Sequence, residues 1–204
     1  MNIKKAAHVL LVAFIAALFS GCATYDQNVM LIYNPAADAK GGSGELYLTT
    51  AGKSSGMEKP GKIKWIIGKA TYADWRQAGD VVSNASPADI VSDALYSELG
   101  NAGYSVRRVS RLPENVPKGI VLTIADITLD DDNSIIKDEV SCRVNISLEL
   151  WKHGEKVKKV DYRSKFSDAT VNGMEMTFLG TVLQNALQNA MKQAVPDIIR
   201  QMEI

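Results

Sequence analysis

Few side chains in this sequence can do nucleophilic or metal chemistry. There are two histidines, His8 and His153, and two cysteines, Cys22 and Cys142. His8 falls in an N-terminal segment that reads as removable, which leaves His153 followed by Gly154 at the tip of an expected hairpin. A Ser-His-Asp arrangement needs a histidine braced by an acid inside a cleft, and a turn apex offers neither. Zinc needs three or four Cys, His or carboxylate ligands, so one histidine and one cysteine on different faces will not assemble a site. Cys142 has the parity of the apolar residues around it and is expected in the core.

Two further groups have residue types suited to binding ions or phosphates. Asp126, Asp130, Asp131, Asp132, Asp138 and Glu139 crowd one loop region. Their spacing lacks the alternation of a twelve-residue calcium loop, so a solvated charged turn is expected. Lys40-Gly41-Gly42-Ser43-Gly44 lacks the Gly-Lys-Ser/Thr ending of a phosphate cradle. No cofactor, metal site or catalytic residue is expected, and the protein reads as a non-enzyme. Recognition is the remaining option. Thr71 to Ala85 reads as a long loop carrying Trp75 beside Arg76, residue types enriched at binding hot spots. They are the candidate partner contact, with Trp75 folded back as a lid on the core as the alternative.

The most informative cysteine is Cys22. Lys4 and Lys5 precede an apolar run from Val9 to Phe19, then Ser20-Gly21 stand directly before it. A positive start, a short apolar centre and a small-residue exit are the parts of a secretory signal. The run of about eleven residues is too short to span ~30 Å of hydrocarbon. Leu18-Phe19-Ser20-Gly21-Cys22 resembles the lipobox of bacterial lipoproteins, with Phe19 where that pattern more often has leucine. The resemblance implies that Cys22 becomes the first mature residue and carries acyl chains. The expected organisation is a signal over 1–21, an acylated tether over 22–28 and one domain over 29–204.

Composition fits that division. Removing 1–21 leaves 183 residues, enough for one domain with a real core. Lys4 and Lys5 leave with the signal, so 21 basic side chains face 23 acidic ones, a net charge of −2. Without a basic surplus to neutralise phosphates, nucleic acid is not an expected partner. Cys142 alone cannot form an internal disulfide, so packing must hold the domain together.

Several stretches specify elements. Val29 to Tyr33, Glu45 to Thr50 and Ile63 to Ile67 read as strands between flexible loops. Ser86-Pro87-Ala88-Asp89 is a capping box with proline at the first helical position. Val91, Ala94, Leu95 and Leu99 follow at spacings of three and four, predicting a helix over about 86–100. Tyr104 to Val109, Ile120 to Leu129, Val140 to Leu150 and Val160 to Phe166 read as further strands. Parity changes near Ala125-Asp126, which predicts a bulge or bend. From Val140 to Leu150 the even positions are apolar or cysteine and the odd ones polar, the mark of a strand with one dry face. An apolar stripe from Phe178 to Ile199 predicts a second helix over about 175–202, with Pro196 near its end. The expected fold class is α+β, a mostly antiparallel sheet with one face covered by these two helices.

Ile67-Gly68, then Ser86 to Leu95 with Leu99, then Gly103-Tyr104-Ser105-Val106 resemble the YajG-like family of small envelope lipoproteins. That resemblance implies an outer-membrane lipoprotein facing the periplasm, held by acyl chains on Cys22. In such lipoproteins the residue after the cysteine influences sorting, and Ala23 rather than Asp looks like export to the outer membrane. The expected role is a non-enzymatic accessory module that binds an envelope protein. The alternative is a lipid or glycan carrier holding a small ligand between sheet and helices.

Overall fold

A computed structural model describes residues 26–54, 57–58, 64–71, 77–134, 137–170 and 176–203. The architecture is organised on one long strand. β7 (Lys118–Asn133) pairs antiparallel along its whole length with β8 (Asp138–Lys152), which pairs antiparallel with β9 (Glu155–Thr170). The β8–β9 turn is His153-Gly154, with φ of 51° and 81°. Two positive φ values in a two-residue hairpin follow the right-handed twist of the strands they join.

The other edge of β7 is shared. Its first half pairs parallel with β2 (Glu45–Ser54), from Tyr47↔Gly119 to Ser54↔Ala125. Its second half pairs parallel with β4 (Trp65–Thr71), from Gly68↔Leu129 to Thr71↔Asp132. β6 (Ser105–Arg108) lies parallel beyond β2. On the other branch β3 (Met57–Glu58) and β5 (Gln77–Ser83) pair antiparallel with β4, and β1 (Gln27–Val29) lies parallel to β5.

The sheet is therefore mixed, which corrects the expectation of a mostly antiparallel one. The four parallel pairings join strands far apart in sequence, and a strand's own alternation carries no record of a distant neighbour's direction. A second correction concerns Thr71 to Ala85. Gln77–Ser83 within it is strand β5 rather than loop; bulges in the β4–β5 register, between Ile66 and Gly68 and between Ala70 and Thr71, accompany the irregular pattern.

Two helices are present among the described residues. α1 (Pro87–Ala102) begins with the capping box: the Ser86 hydroxyl accepts from Asp89 N at 3.1 Å, and Asp89 Oδ2 accepts from Ser86 N at 3.3 Å. It ends at Gly103 in the left-handed conformation. α2 (Met176–Glu203) runs on through Pro196. One core joins both helices to the sheet. Val91, Ala94, Leu95 and Leu99 of α1 and Val182, Leu183, Leu187, Met191, Val195 and Ile198 of α2 have no exposed surface. They meet Leu46, Ile120, Leu122 and the even positions of β8. Each fully buried aliphatic side chain contributes ~1.5–3 kcal/mol, which is how the domain holds without a disulfide.

The β7 bulge falls between Leu122 and Ile124. Before it Ile120 and Leu122 point inward; after it Ala125, Ile127 and Leu129 do, and Ile124 is left 43 % exposed. Gly68 is required by a close approach: a Cβ there would stand 1.7 Å from the Leu129 carbonyl oxygen.

Candidate functional site

Cys22 and the pair Trp75 and Arg76 lie outside the described residues. The elements flanking the pair are placed: β4 ends at Thr71 and β5 begins at Gln77. Thr71 Oγ1 donates to Asp132 Oδ1 at 3.1 Å, fixing the end of β4 to the end of β7 beside the β7–β8 turn.

The described surface best placed for recognition is the outward face of β7, β8 and β9. Even residues of β8 are committed to the core, so Ser141, Arg143, Asn145, Ser147 and Glu149 must face out. Register sets Arg143 opposite Lys165, Asn145 opposite Arg163, Ser147 opposite Asp161 and Glu149 opposite Lys159. The acids and amides of this face are mostly tied down. Arg143 Nη2 donates to Asp130 Oδ2 at 3.3 Å, and Asn145 Nδ2 to Asp126 Oδ2 at 3.2 Å. Ser147 Oγ donates to Asp161 Oδ1, and Lys156 Nζ to Glu149 Oε1 at 3.1 Å.

Lys159, Arg163 and Lys165 are different. They lie on the outward side of β9, with Asp161 between Lys159 and Arg163, and form no ion pair among the described residues. A shallow depression of about 410 Å³ lies beside them, lined by Ile124, Asn145, Ser147, Lys159, Asp161 and Arg163. An exposed isoleucine with free cations next to it can meet a partner that brings carboxylates around an apolar contact. Charged side chains on an edge strand also oppose unwanted strand pairing, and β9 is such an edge.

The other chemical groups are dispersed. His153 is exposed at the hairpin tip, while Cys142 is fully buried. Burial pushes the Cys142 thiol up to about 12, Asp130 adds to the rise and Arg143 opposes it. Of the acidic cluster, Asp126 serves Asn145, Asp130 serves Arg143, Asp132 serves Thr71, and Glu139 pairs with Lys137 at 3.0 Å. Among the described residues no three His, Cys, Asp or Glu side chains converge to hold a metal ion.

Sequence reasoning missed Glu98. It is fully buried, accepting from the Tyr33 hydroxyl at 2.6 Å, Ala36 N at 2.7 Å and Ala37 N at 3.0 Å. The available signal was position: Glu98 is seven residues after Val91, on the apolar face of α1. Burial and the Glu98 carboxylate together push the Tyr33 phenol far above its ordinary range. A second tie, also missed, closes the end of α2. Glu203 accepts from Lys118 Nζ at 2.6 Å, Ser43 Oγ at 2.9 Å and Ser43 N at 3.2 Å.

No family model matches this sequence, and no curated protein does. The YajG-like resemblance thus stands without a family model behind it. Crystal structures with partial likeness do exist. One is a Xanthomonas campestris protein of family DUF330, at a TM-score of 0.45 and 12 % identity over 88 % of this chain and 98 % of that one. Another is a neuraminyllactose-binding hemagglutinin homolog from Helicobacter pylori, at 0.44 and 9 % identity over 86 % and 98 %. A third is the rare lipoprotein B from Shewanella oneidensis, at 0.27 and 12 % identity over 67 % and 92 %. No helix of the described residues is long and apolar enough to cross a membrane.

Proposed function

We propose that this chain is an envelope lipoprotein, held by acyl chains on Cys22 at the periplasmic side of the outer membrane, that binds an envelope protein without catalysing a reaction. The Leu18 to Cys22 stretch supports the anchor and Ala23 the outer membrane. Two or more acyl chains at ~0.8 kcal/mol per buried CH₂ make release from the bilayer negligible.

The observation that carries binding over carriage is the packing between α2 and the sheet. A space large enough for water would expose the atoms lining it, yet Leu183, Leu187, Met191, Val195 and Ile198 expose none. That interface is filled, which weighs against a ligand held between sheet and helices. Recognition then falls to the surface, at Trp75 and Arg76 or at the free cations of β9.

The test is in-cell photo-crosslinking from positions 75, 76, 159 and 163, with the captured protein identified. A discrete crosslinked protein from either pair of positions supports the reading. Trp75→Ala/Arg76→Ala tells which: loss of capture with an unchanged melting temperature assigns the contact to that pair. Loss of stability with capture intact assigns Trp75 to the core and leaves β9 as the contact. Cys22→Ser should abolish incorporation of labelled fatty acid; undiminished labelling would remove the anchor.

A further inference from the structure

Residues 30–34 lie extended against α2 and are held along their length. Helix and segment come close at Gly180, where a Cβ would meet the Met30 carbonyl oxygen at 3.0 Å. Asn34 N donates to Gln184 Oε1 at 3.4 Å, and Gln188 Nε2 donates to the Asn34 carbonyl at 2.9 Å. Glu98 secures Tyr33, Ala36 and Ala37 behind them. Alternation in an extended chain then has one outcome. Leu31 and Tyr33 pack on the core, while Met30 and Ile32 project into solvent, 77 % and 87 % exposed. Among the described residues they are the most exposed large apolar side chains.

Their surroundings are uncharged. The depression of about 360 Å³ beside them is lined otherwise by Leu31, Asn34, Gly180 and the hydroxyls and amides of Thr177, Thr181, Gln184, Asn185 and Gln188. Such a surface enters the boundary between headgroups and acyl chains without desolvating a charge.

Chain length says what covers it. Asp26 is four residues after Cys22, so at full extension it lies within ~14 Å of the acylated residue, and Met30 within twice that. This part of the folded body is tied nearest the bilayer. We infer that Met30 and Ile32 are a second, non-covalent membrane contact, an apolar foot resting in the bilayer interface beside the anchor and orienting the domain. The inference rests on acylation of Cys22. It also specifies the lipid. α2 runs antiparallel to β9, since Ser164 meets Ala186 and Tyr162 meets Asp197, so Gly180 lies toward the acidic β7–β8 end. A zwitterionic surface fits that end better than an anionic one.

The experiment uses the full acylated chain in phosphatidylethanolamine/phosphatidylcholine vesicles. An environment-sensitive fluorophore is placed on Thr181→Cys, at the rim of the foot, or on Glu155→Cys, exposed at the opposite end of β9, as a distant control. Nitroxide-labelled lipid should quench the Thr181 reporter several-fold more than the Glu155 reporter. Met30→Ser/Ile32→Ser should bring the two to the same level while leaving the melting temperature unchanged. Equal quenching at both positions in a protein that carries fatty acid would overturn the foot and leave the anchor standing. A chain without fatty acid would remove both. A reporter shielded from aqueous quencher but not reached by lipid nitroxide would assign the surface to a second copy or another protein, and would also overturn the proposal.

Discussion

Tyr33 and Glu98, 65 residues apart in sequence, meet through a hydrogen bond of 2.6 Å from the phenol to Oε1. The bond fastens the extended segment over α2 to the buried face of α1. That segment follows directly on β1, whose Val29 already lies in the core.

Removing the Glu98 side chain would leave the Ala36 and Ala37 N–H groups without their acceptor. A buried donor so left costs about 1–3 kcal/mol, so Glu98→Ala should destabilise by about 3–5 kcal/mol. Tyr33→Phe deletes one bond to the same group and should cost about 1.5–3 kcal/mol. Urea denaturation measures both. Values within about 0.5 kcal/mol of wild type, as for ordinary surface changes, would mean that the fastening is not made in solution.

Gly68 and Gly100 make a paired prediction because their surroundings are opposite. Gly68→Ala drives a methyl against the Leu129 carbonyl and should cost about 3 kcal/mol or prevent folding. Gly100 sits in α1 with nothing within 4 Å of an added Cβ. Gly100→Ala should stabilise by about 0.5–1 kcal/mol, since alanine loses less backbone freedom in a helix. Thermal melts that move the same way for both would contradict the β4–β7 register.

Local chemistry made some elements legible and left others hidden. The capping box at Ser86, the parity of β8 and the stripe of α2 each record their own surroundings, and all three stand in the structure. β5 was obscured because Gly79, Asp80 and Ser83 interrupt its apolar pattern. Glu98 was hidden because a glutamate is read as solvated until the groups that reach it from far along the chain are known. Asn145 and Gln188 fall on the polar faces of their elements, yet each holds a tertiary hydrogen bond that pattern alone does not show. The strand expected over Val29 to Tyr33 ends at Val29 as β1, and Met30 and Ile32 lie exposed, because only tertiary placement tells which side of an apolar run is covered.

Cys142 supplies a direct probe of the core. Its thiol has no exposed surface, and burial raises it to about 12, so little of the reactive thiolate exists at neutral pH. Alkylation by iodoacetamide at pH 8 should be undetectable in the folded protein and become complete in denaturant. Rapid labelling of the native chain would mean that β8 does not lie under α2 as described.

Acid should loosen the end of α2 before the core. Burial works against ionisation of Glu203, but Lys118, the neighbouring Tyr104 hydroxyl and Ser43 outweigh it and hold the carboxyl at about 2. An unfolded glutamate titrates near 4.5. A carboxyl lowered on folding favours the unfolded state's protonation as pH falls. Its contribution to stability is therefore fully present above about pH 4.5 and is lost progressively down to about pH 2. Glu203→Gln cannot titrate and should flatten that part of the stability profile, while also lowering stability at neutral pH. Lys118→Ala should return the Glu203 titration toward the ordinary range and narrow the window. Denaturation midpoints between pH 2 and 7 for the three proteins measure this. Parallel profiles for wild type and Glu203→Gln across that window would show that Lys118 and Ser43 do not hold Glu203 in solution.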